Sequence, residues 1–154
     1  IQTSLVGSEM CIRDSYKFTT LNPNLGVTIY DDKEITLADI PGLIEGAHTG
    51  TGLGIKFLKH IERCKSLLHL IDITENNLEE SYNQVRNELG EYSSDLLNKD
   101  ELIVLNKIDL LDEIEVNEKV KNFKKKTKKN VLLLSTLRKD ALMKVKAKLI
   151  NYVS

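Results

Sequence analysis

Residues 102–109 read Leu-Ile-Val-Leu-Asn-Lys-Ile-Asp. The first four are all apolar, so the run suits a strand buried on both faces. Such strands belong to parallel sheets covered by helices on both sides, where ligands bind beyond the carboxyl ends of the strands. Asn106, Lys107 and Asp109 stand at that end. A carboxylate set edge-on accepts two hydrogen bonds from guanine, one from the ring N–H and one from the exocyclic amine. Adenine offers neither donor there, and a buried polar group left unpaired is heavily penalised, so such a site rejects the wrong base. The Asn106 amide suits the other edge of the base and neighbouring loops, and the Lys107 stem can lie over the base plane.

Working outward, the same alternation continues. Leu67–Ile71 and Val131–Leu134 are further apolar runs of strand length. Val27–Tyr30 and Glu34–Ala38 are β-rich and joined by Asp31-Asp32-Lys33, a hairpin signal. Leu78, Tyr82, Val85, Leu89, Tyr92 and Leu96 follow steps of three and four, predicting one long helix. Apolar residues at 57, 58 and 61 predict a helix over Ile55–Cys64, Val116–Lys128 reads as a very polar helix, and Leu142, Val145, Leu149 and Tyr152 predict a final amphipathic one. The expected fold is α/β, three-layered, a mostly parallel sheet with helices on both faces.

Composition agrees. The chain has 154 residues, 41% hydrophobic, enough for one domain with a real core. Lys and Arg number 22 against 23 Asp and Glu, so the net charge of −1 gives no global reason to expect DNA or a membrane as partner. Two Cys exclude a disulfide framework and a four-Cys zinc site. With no secretory signal or membrane-length apolar run, a cytoplasmic, monomeric protein is the expectation.

Two more strand ends carry polar residues. Asp39-Ile40-Pro41-Gly42 follows the second β-run; its carboxylate suits a magnesium-bound water, and Gly42 leaves a backbone N–H open to a terminal phosphate. Ser135-Thr136 follows the last strand. Thr19-Thr20 offers hydroxyls suited to magnesium beside phosphates. Glu45–Gly54 holds four glycines and reads either as a mobile loop leading into the helix from Ile55 or as a passive connector. No Gly-x-x-x-x-Gly-Lys-Ser/Thr appears; Leu5-Val6-Gly7 imitates a strand entering such a loop, but Ile12, Arg13 and Asp14 stand where Gly, Lys and Ser/Thr are required.

The opening residues have a separate explanation. Leu5–Asp14 reads LVGSEMCIRD, which resembles the in-frame translation of a transposon adapter used in DNA sequencing libraries (CTC GTG GGC TCG GAG ATG TGT ATA AGA GAC). Residues 1–15 are therefore expected to be foreign and are set aside. Without residues 1–14 the chain keeps 21 basic and 21 acidic side chains and one Cys, Cys64. The expectation is a fragment interrupted upstream of Tyr16.

Together these runs resemble a P-loop GTPase, specifically the Obg family of ribosome-associated GTPases. YKFTTLNPNLG (Tyr16–Gly26) is similar to that family's switch I, DIPGLIEGAHTGTGLG (Asp39–Gly54) to its switch II, and IVLNKIDL (Ile103–Leu110) to its base-recognition segment; FLKHIERCKSLLHLID (Phe57–Asp72) continues the likeness. The resemblance covers Tyr16 to Val153 and implies a G domain over 16–154, truncated before switch I and lacking the first strand and the P-loop. It implies GTP and GDP as ligands, with contacts from Phe18, Thr19, Thr20, Leu21, Asn22, Asp39, Ile40, Pro41, Gly42, Asn106, Lys107, Ile108, Asp109, Ser135, Thr136 and Leu137. It implies Mg2+ as cofactor, held by Thr20 directly and by Asp39 through water, and the large ribosomal subunit or its RNA as partner. Lys17 replaces the family's usual Pro and Thr136 its usual Ala. Leu43 occupies the position where many GTPases carry a water-orienting Gln, so no catalytic residue is assigned and slow hydrolysis is implied.

The expected function is thus a magnesium-dependent GTP hydrolase and switch in large-subunit assembly, with this chain a poor GTP binder. The alternative is a non-hydrolysing guanine-nucleotide or RNA-binding scaffold. His48, His60 and His69 lack metal-site spacing, and Cys64 reads as a packing residue. Seven Lys between 119 and 129 read as a solvated helix face, with RNA phosphate contact as the other reading.

Overall fold

The computed structural model describes residues 2–7, 25–39 and 64–153. Its chain order is β1 (Gln2–Gly7), β2 (Leu25–Tyr30), β3 (Lys33–Asp39), β4 (Ser66–Asp72), α1 (Leu78–Tyr92), α2 (Ser94–Leu97), β5 (Asp100–Asn106), a single 3-10 turn (Ile108–Leu110), α3 (Glu113–Thr127), β6 (Val131–Leu133) and α4 (Lys139–Val153). The switch-like residues Phe18–Asn22 and Ile40–Leu43, the glycine-rich stretch Glu45–Gly54, and the predicted helix up to residue 63 lie outside the described residues.

The described strands form a six-stranded sheet in the order β2-β3-β1-β4-β5-β6. β4, β5 and β6 are parallel, and β2 and β3 form an antiparallel hairpin. Asp31 and Asp32 turn that hairpin with φ of 52° and 56°. Two consecutive left-handed residues give the turn whose twist matches the strands, and Asp tolerates that region better than most side chains.

The apolar runs are buried on both faces, as their composition requires. Leu102 and Val104 of β5 pack with Ala141, Val145, Leu149 and Ile150 of α4. Ile103 and Leu105 face the other way, against Leu78 and Tyr82 of α1 and Val116 and Phe123 of α3. Phe123 is 2% exposed and sets its ring edge-on to Tyr82 at 5.7 Å.

Two expectations need correction. The single helix across 78–96 is broken at Ser93, whose extended backbone (φ −164°) closes α1 and whose side chain caps α2. The break folds Leu97 back onto α1, where its Cδ1 would lie 2.9 Å from a Cβ on Gly90, so a larger residue at Gly90 would push the Leu97 side chain aside. The periodicity continued because Leu96 remains buried on the far side of the break.

The second concerns the sheet centre, expected to lack its strand. It is filled by β1, from the segment set aside as foreign, and β1 runs antiparallel to both neighbours: Val6 pairs with Leu37 and with Ser66, Gln2 with Leu70. β3 and β4 each present a row of N–H and C=O groups that must find partners, and a strand in either direction satisfies both rows. Antiparallel pairing is slightly the more stable per residue. The strand of a P-loop fold, running parallel and into a phosphate-binding loop, is not among the described residues.

α3 begins at Glu113, three residues before its predicted start, because Asp112 and Glu115 form a capping box. Of the seven lysines on or just beyond it, Lys119 turns inward to the Ile73 and Glu75 carbonyls and Lys126 pairs with Glu79. Lys121, Lys124, Lys125 and Lys128 are exposed at i, i+3, i+4 and i+7 spacing. Among the described residues no helix is long and apolar enough to cross a membrane.

Candidate functional site

The carboxyl ends of β5 and β6 carry the base-reading candidates. Register sets Asp72, the last residue of β4, directly beside Asn106, the last of β5. The Asn106 carbonyl accepts from the Ile73 N–H at 3.0 Å, joining the two strand ends. The Asn106 side chain is half-buried, and its Oδ1 has no hydrogen-bond partner among the described residues. A buried acceptor without a donor is costly, and an N–H from a neighbouring loop would relieve it, leaving the amide NH2 for a base.

Lys107 follows with φ 65° and ψ 34°, a left-handed conformation uncommon for a side chain of its size. This reverses the chain at once: the Ile108 N–H reaches the Leu134 carbonyl at 3.3 Å and the Leu110 N–H returns to the Lys107 carbonyl at 3.1 Å. The Lys107 ammonium lies 2.5 Å from Asp72 Oδ2. That bond pushes the Lys107 pKa up. Partial burial pushes Asp72 up, but hydrogen bonds from Lys107 and Thr74 outweigh it and hold the carboxyl below its ordinary value.

Asp109 is presented on the 3-10 turn, exposed, with one oxygen fixed by the Ser135 hydroxyl at 2.5 Å. Ser135 is fully buried just after β6, and its Oγ also accepts from the Leu137 N–H at 3.1 Å. One side chain therefore aligns the carboxylate and shapes the Ser135–Leu137 turn. Thr136 and Leu137 are exposed at the same end, and Ile108 is half-buried beneath them. The sequence placed Asn106, Lys107, Asp109 and Ser135 at one edge, and the structure brings them together.

Asp39 is not brought to that cluster. It closes β3 level with Ser4, which also pairs with Leu68, so β3 ends four residues short of the Asp72 row. Burial pushes the Asp39 carboxyl above its ordinary value. A half-buried carboxylate of this kind is a hard oxygen donor whose charge a cation would stabilise, which fits magnesium in type. Thr20, the other metal candidate, lies outside the described residues, as do Phe18, Thr19, Leu21, Asn22, Ile40, Pro41, Gly42 and Leu43.

Residue-by-residue reading missed Asp72. It ends the continuous run Ser66–Asp72, and inspecting every strand end, as was done for Asn106 and Asp39, would have found it. His69, noted only as lying in a strand, is buried on β4 with Nδ1 3.1 Å from Glu101, remote from the base cluster. Cys64 is buried, and desolvation lifts its thiol to about 11, an inert packing residue.

A family profile described as 50S ribosome-binding GTPase matches residues 2–107, more than half of the sequence. The chain belongs to the 50S ribosome-binding GTPase family. Within it, the chain is 69% identical over 140 residues to the GTPase Obg of Pelagibacter ubique, covering 91% of this chain and 43% of that protein. It is 54% identical over 132 residues to the GTPase Obg of Ehrlichia canis (86% and 38% covered), and 55% over 130 residues to that of Rickettsia massiliae (84% and 39%). The chain spans about two fifths of the length of these curated relatives of the 50S ribosome-binding GTPase family.

Proposed function

We propose that the chain carries the guanine-reading part of a GTP-binding, GTP-hydrolysing switch domain. The carrying observation is the Asp109 carboxylate, aligned by buried Ser135 beside Lys107 at the ends of β5 and β6. Asp109 accepts the guanine ring N–H and amine, the Asn106 amide NH2 and the Ser135–Leu137 backbone N–H groups donate to the acceptors of the other edge, and Lys107 lies over the base. Thr20 and Asp39 are the residues that would hold Mg2+, which when bound neutralises charge on the phosphates. Phe18–Asn22 and Ile40–Gly42 would close on the sugar and phosphates. Leu43 cannot orient water, so hydrolysis is slow without a group supplied by a partner.

The large ribosomal subunit or its RNA is the proposed partner, supported by the family's description and by the exposed Lys121, Lys124, Lys125 and Lys128. A cytoplasmic location follows from that partner.

We further propose that residues 1–15 are adapter-derived and that the native P-loop is encoded elsewhere. Reading the source locus upstream of the Tyr16 codon tests this: a strand followed by Gly-x-x-x-x-Gly-Lys-Ser/Thr supports the hydrolase. Its absence favours the non-hydrolysing scaffold.

The base assignment has its own test. Asp109→Asn replaces one acceptor with a donor, which mismatches the guanine amine and matches the 2-carbonyl of xanthine. GDP affinity falls on the order of 100-fold or more, and xanthosine diphosphate becomes the better ligand, by calorimetry. Unchanged GDP affinity would remove Asp109 from the base site.

A further inference from the structure

The β4 end and the turn after it form a platform directed at Lys107. Asp72 Oδ1 accepts from the Thr74 N–H at 3.0 Å and the Thr74 hydroxyl at 2.7 Å, leaving Oδ2 for the Lys107 ammonium. The Asp72 carbonyl accepts from the Glu75 N–H at 3.2 Å, closing the turn. From beneath, Lys119 of α3 donates to the Ile73 and Glu75 carbonyls, each at 2.8 Å, and Ser81 of α1 donates to the Glu75 carboxylate. Two helices thus brace a four-residue turn whose outward group is one carboxylate oxygen.

Lys107 needs such a brace. Its left-handed backbone is one that a side chain of its size adopts at a cost, and its four-carbon stem otherwise samples many rotamers. With the backbone fixed by the Ile108 and Leu110 bonds and the ammonium fixed by Asp72, both ends of the stem are held. We propose that Asp72 is a positioning residue of the guanine-nucleotide site, holding Lys107 so that its aliphatic stem is pre-set as the platform for the base. The inference rests on the guanine reading of Asn106–Asp109. It assigns the β4 end, more than thirty residues away in sequence, to base affinity through a charge-assisted bond that fixes the tip of an otherwise exposed Lys107.

The test titrates GDP into the full chain, into Asp72→Asn, Lys107→Met and the double variant, following the Asn106–Asp109 and Ser135–Leu137 amides by NMR up to millimolar ligand. Asp72→Asn weakens GDP about tenfold, the scale of one lost charge-assisted bond. In the Lys107→Met background the same change has no further effect, because no ammonium is left to position. Asp72→Glu, which keeps a carboxylate within reach of the flexible ammonium, returns affinity to within about threefold of wild type.

An Asp72→Asn variant that binds GDP as wild type does overturns the proposal. So does a tenfold loss that persists in the Lys107→Met background, since that marks Asp72 as a mere turn former. A wild-type chain that shows no saturable GDP shift overturns the guanine reading itself, and this inference falls with it; the two failures are told apart by whether the wild type binds.

Discussion

In the β4–β5–β6 half of the sheet every strand runs the same way, and the crossovers pass through helices that seal the face. In the β2–β3–β1 half every pair of neighbours runs in opposite directions, and the connection described, Asp31-Asp32, is short. Strands in both halves pair with their neighbours, but among the described residues only the first half gathers its candidate site residues. Asn106 and Ser135 follow β5 and β6 at one pole because those strands are parallel, and Asp72 joins them because β4 is too. In the second half Asp39 stops short of that pole, and the Gly7 end of β1 lies at the far one. Direction alone therefore separates the candidate base-reading residues, gathered in one half, from Asp39, which lies in the other.

The sharpest way to break this comparison is Leu5→Pro. Leu5 pairs with Ala38 on one side and Leu67 on the other, so a proline removes a donor from the middle of the sheet and strains the ladder. The expected loss is on the order of 4 kcal/mol or more. Amide exchange in the native state should show protection lost across β2 and β3 and retained across β5. Protection lost equally in β5 would mean that the parallel half has no independence from the centre.

Next comes Phe123→Ala, which tests whether α3 holds the parallel half together. Phe123 is buried against Tyr82 and the Ile103 and Leu105 side of β5. Truncating it leaves a cavity and costs about 3 kcal/mol, read as a lower urea midpoint at unchanged slope. A loss under about 1 kcal/mol would take α3 out of the support for the base loops, and with it the Lys119 brace beneath Ile73 and Glu75.

The same contrast explains what could be read beforehand. Runs such as Leu102–Leu105 declare themselves because a strand covered on both faces has no polar alternation to confuse it. The residues at their ends then fall at a known pole, which makes Asn106, Lys107, Asp109 and Ser135 legible as candidates. The Asp31-Asp32 turn was legible because both residues must take positive φ. Strand direction was not legible: Gln2–Gly7 is β-capable in either sense, and nothing local in those six residues chooses. The break at Ser93 was hidden because Leu96 keeps the helical spacing while the chain reverses through a contact, Leu97 on Gly90, that periodicity does not encode. Asp72 was overlooked because its partner Lys107 is 35 residues away and the pairing depends on a left-handed backbone.

The smallest effect expected is pH-dependent and lies on the face of β4 and β5 under α1, away from the base cluster. Burial pushes the Glu101 carboxyl up, but the His69 ring, Arg86 and the Tyr82 hydroxyl outweigh it and hold it below its ordinary 4.5. A carboxyl whose folded pKa is depressed contributes stability above its unfolded value and loses it as pH falls through the folded one. Wild-type stability should therefore decline as pH drops below about 4.5, with part of that decline due to Glu101. Glu101→Gln keeps the shape but cannot ionise. It should be less stable than wild type at pH 7, by less than the Phe123→Ala loss, and the gap should close under acid as the wild-type carboxyl takes up its proton. Urea midpoints from pH 7 down to 3 measure this. A gap that stays constant across that range would mean that the cluster contributes packing alone, and that the parallel half is held by its apolar layers without help from the buried charge.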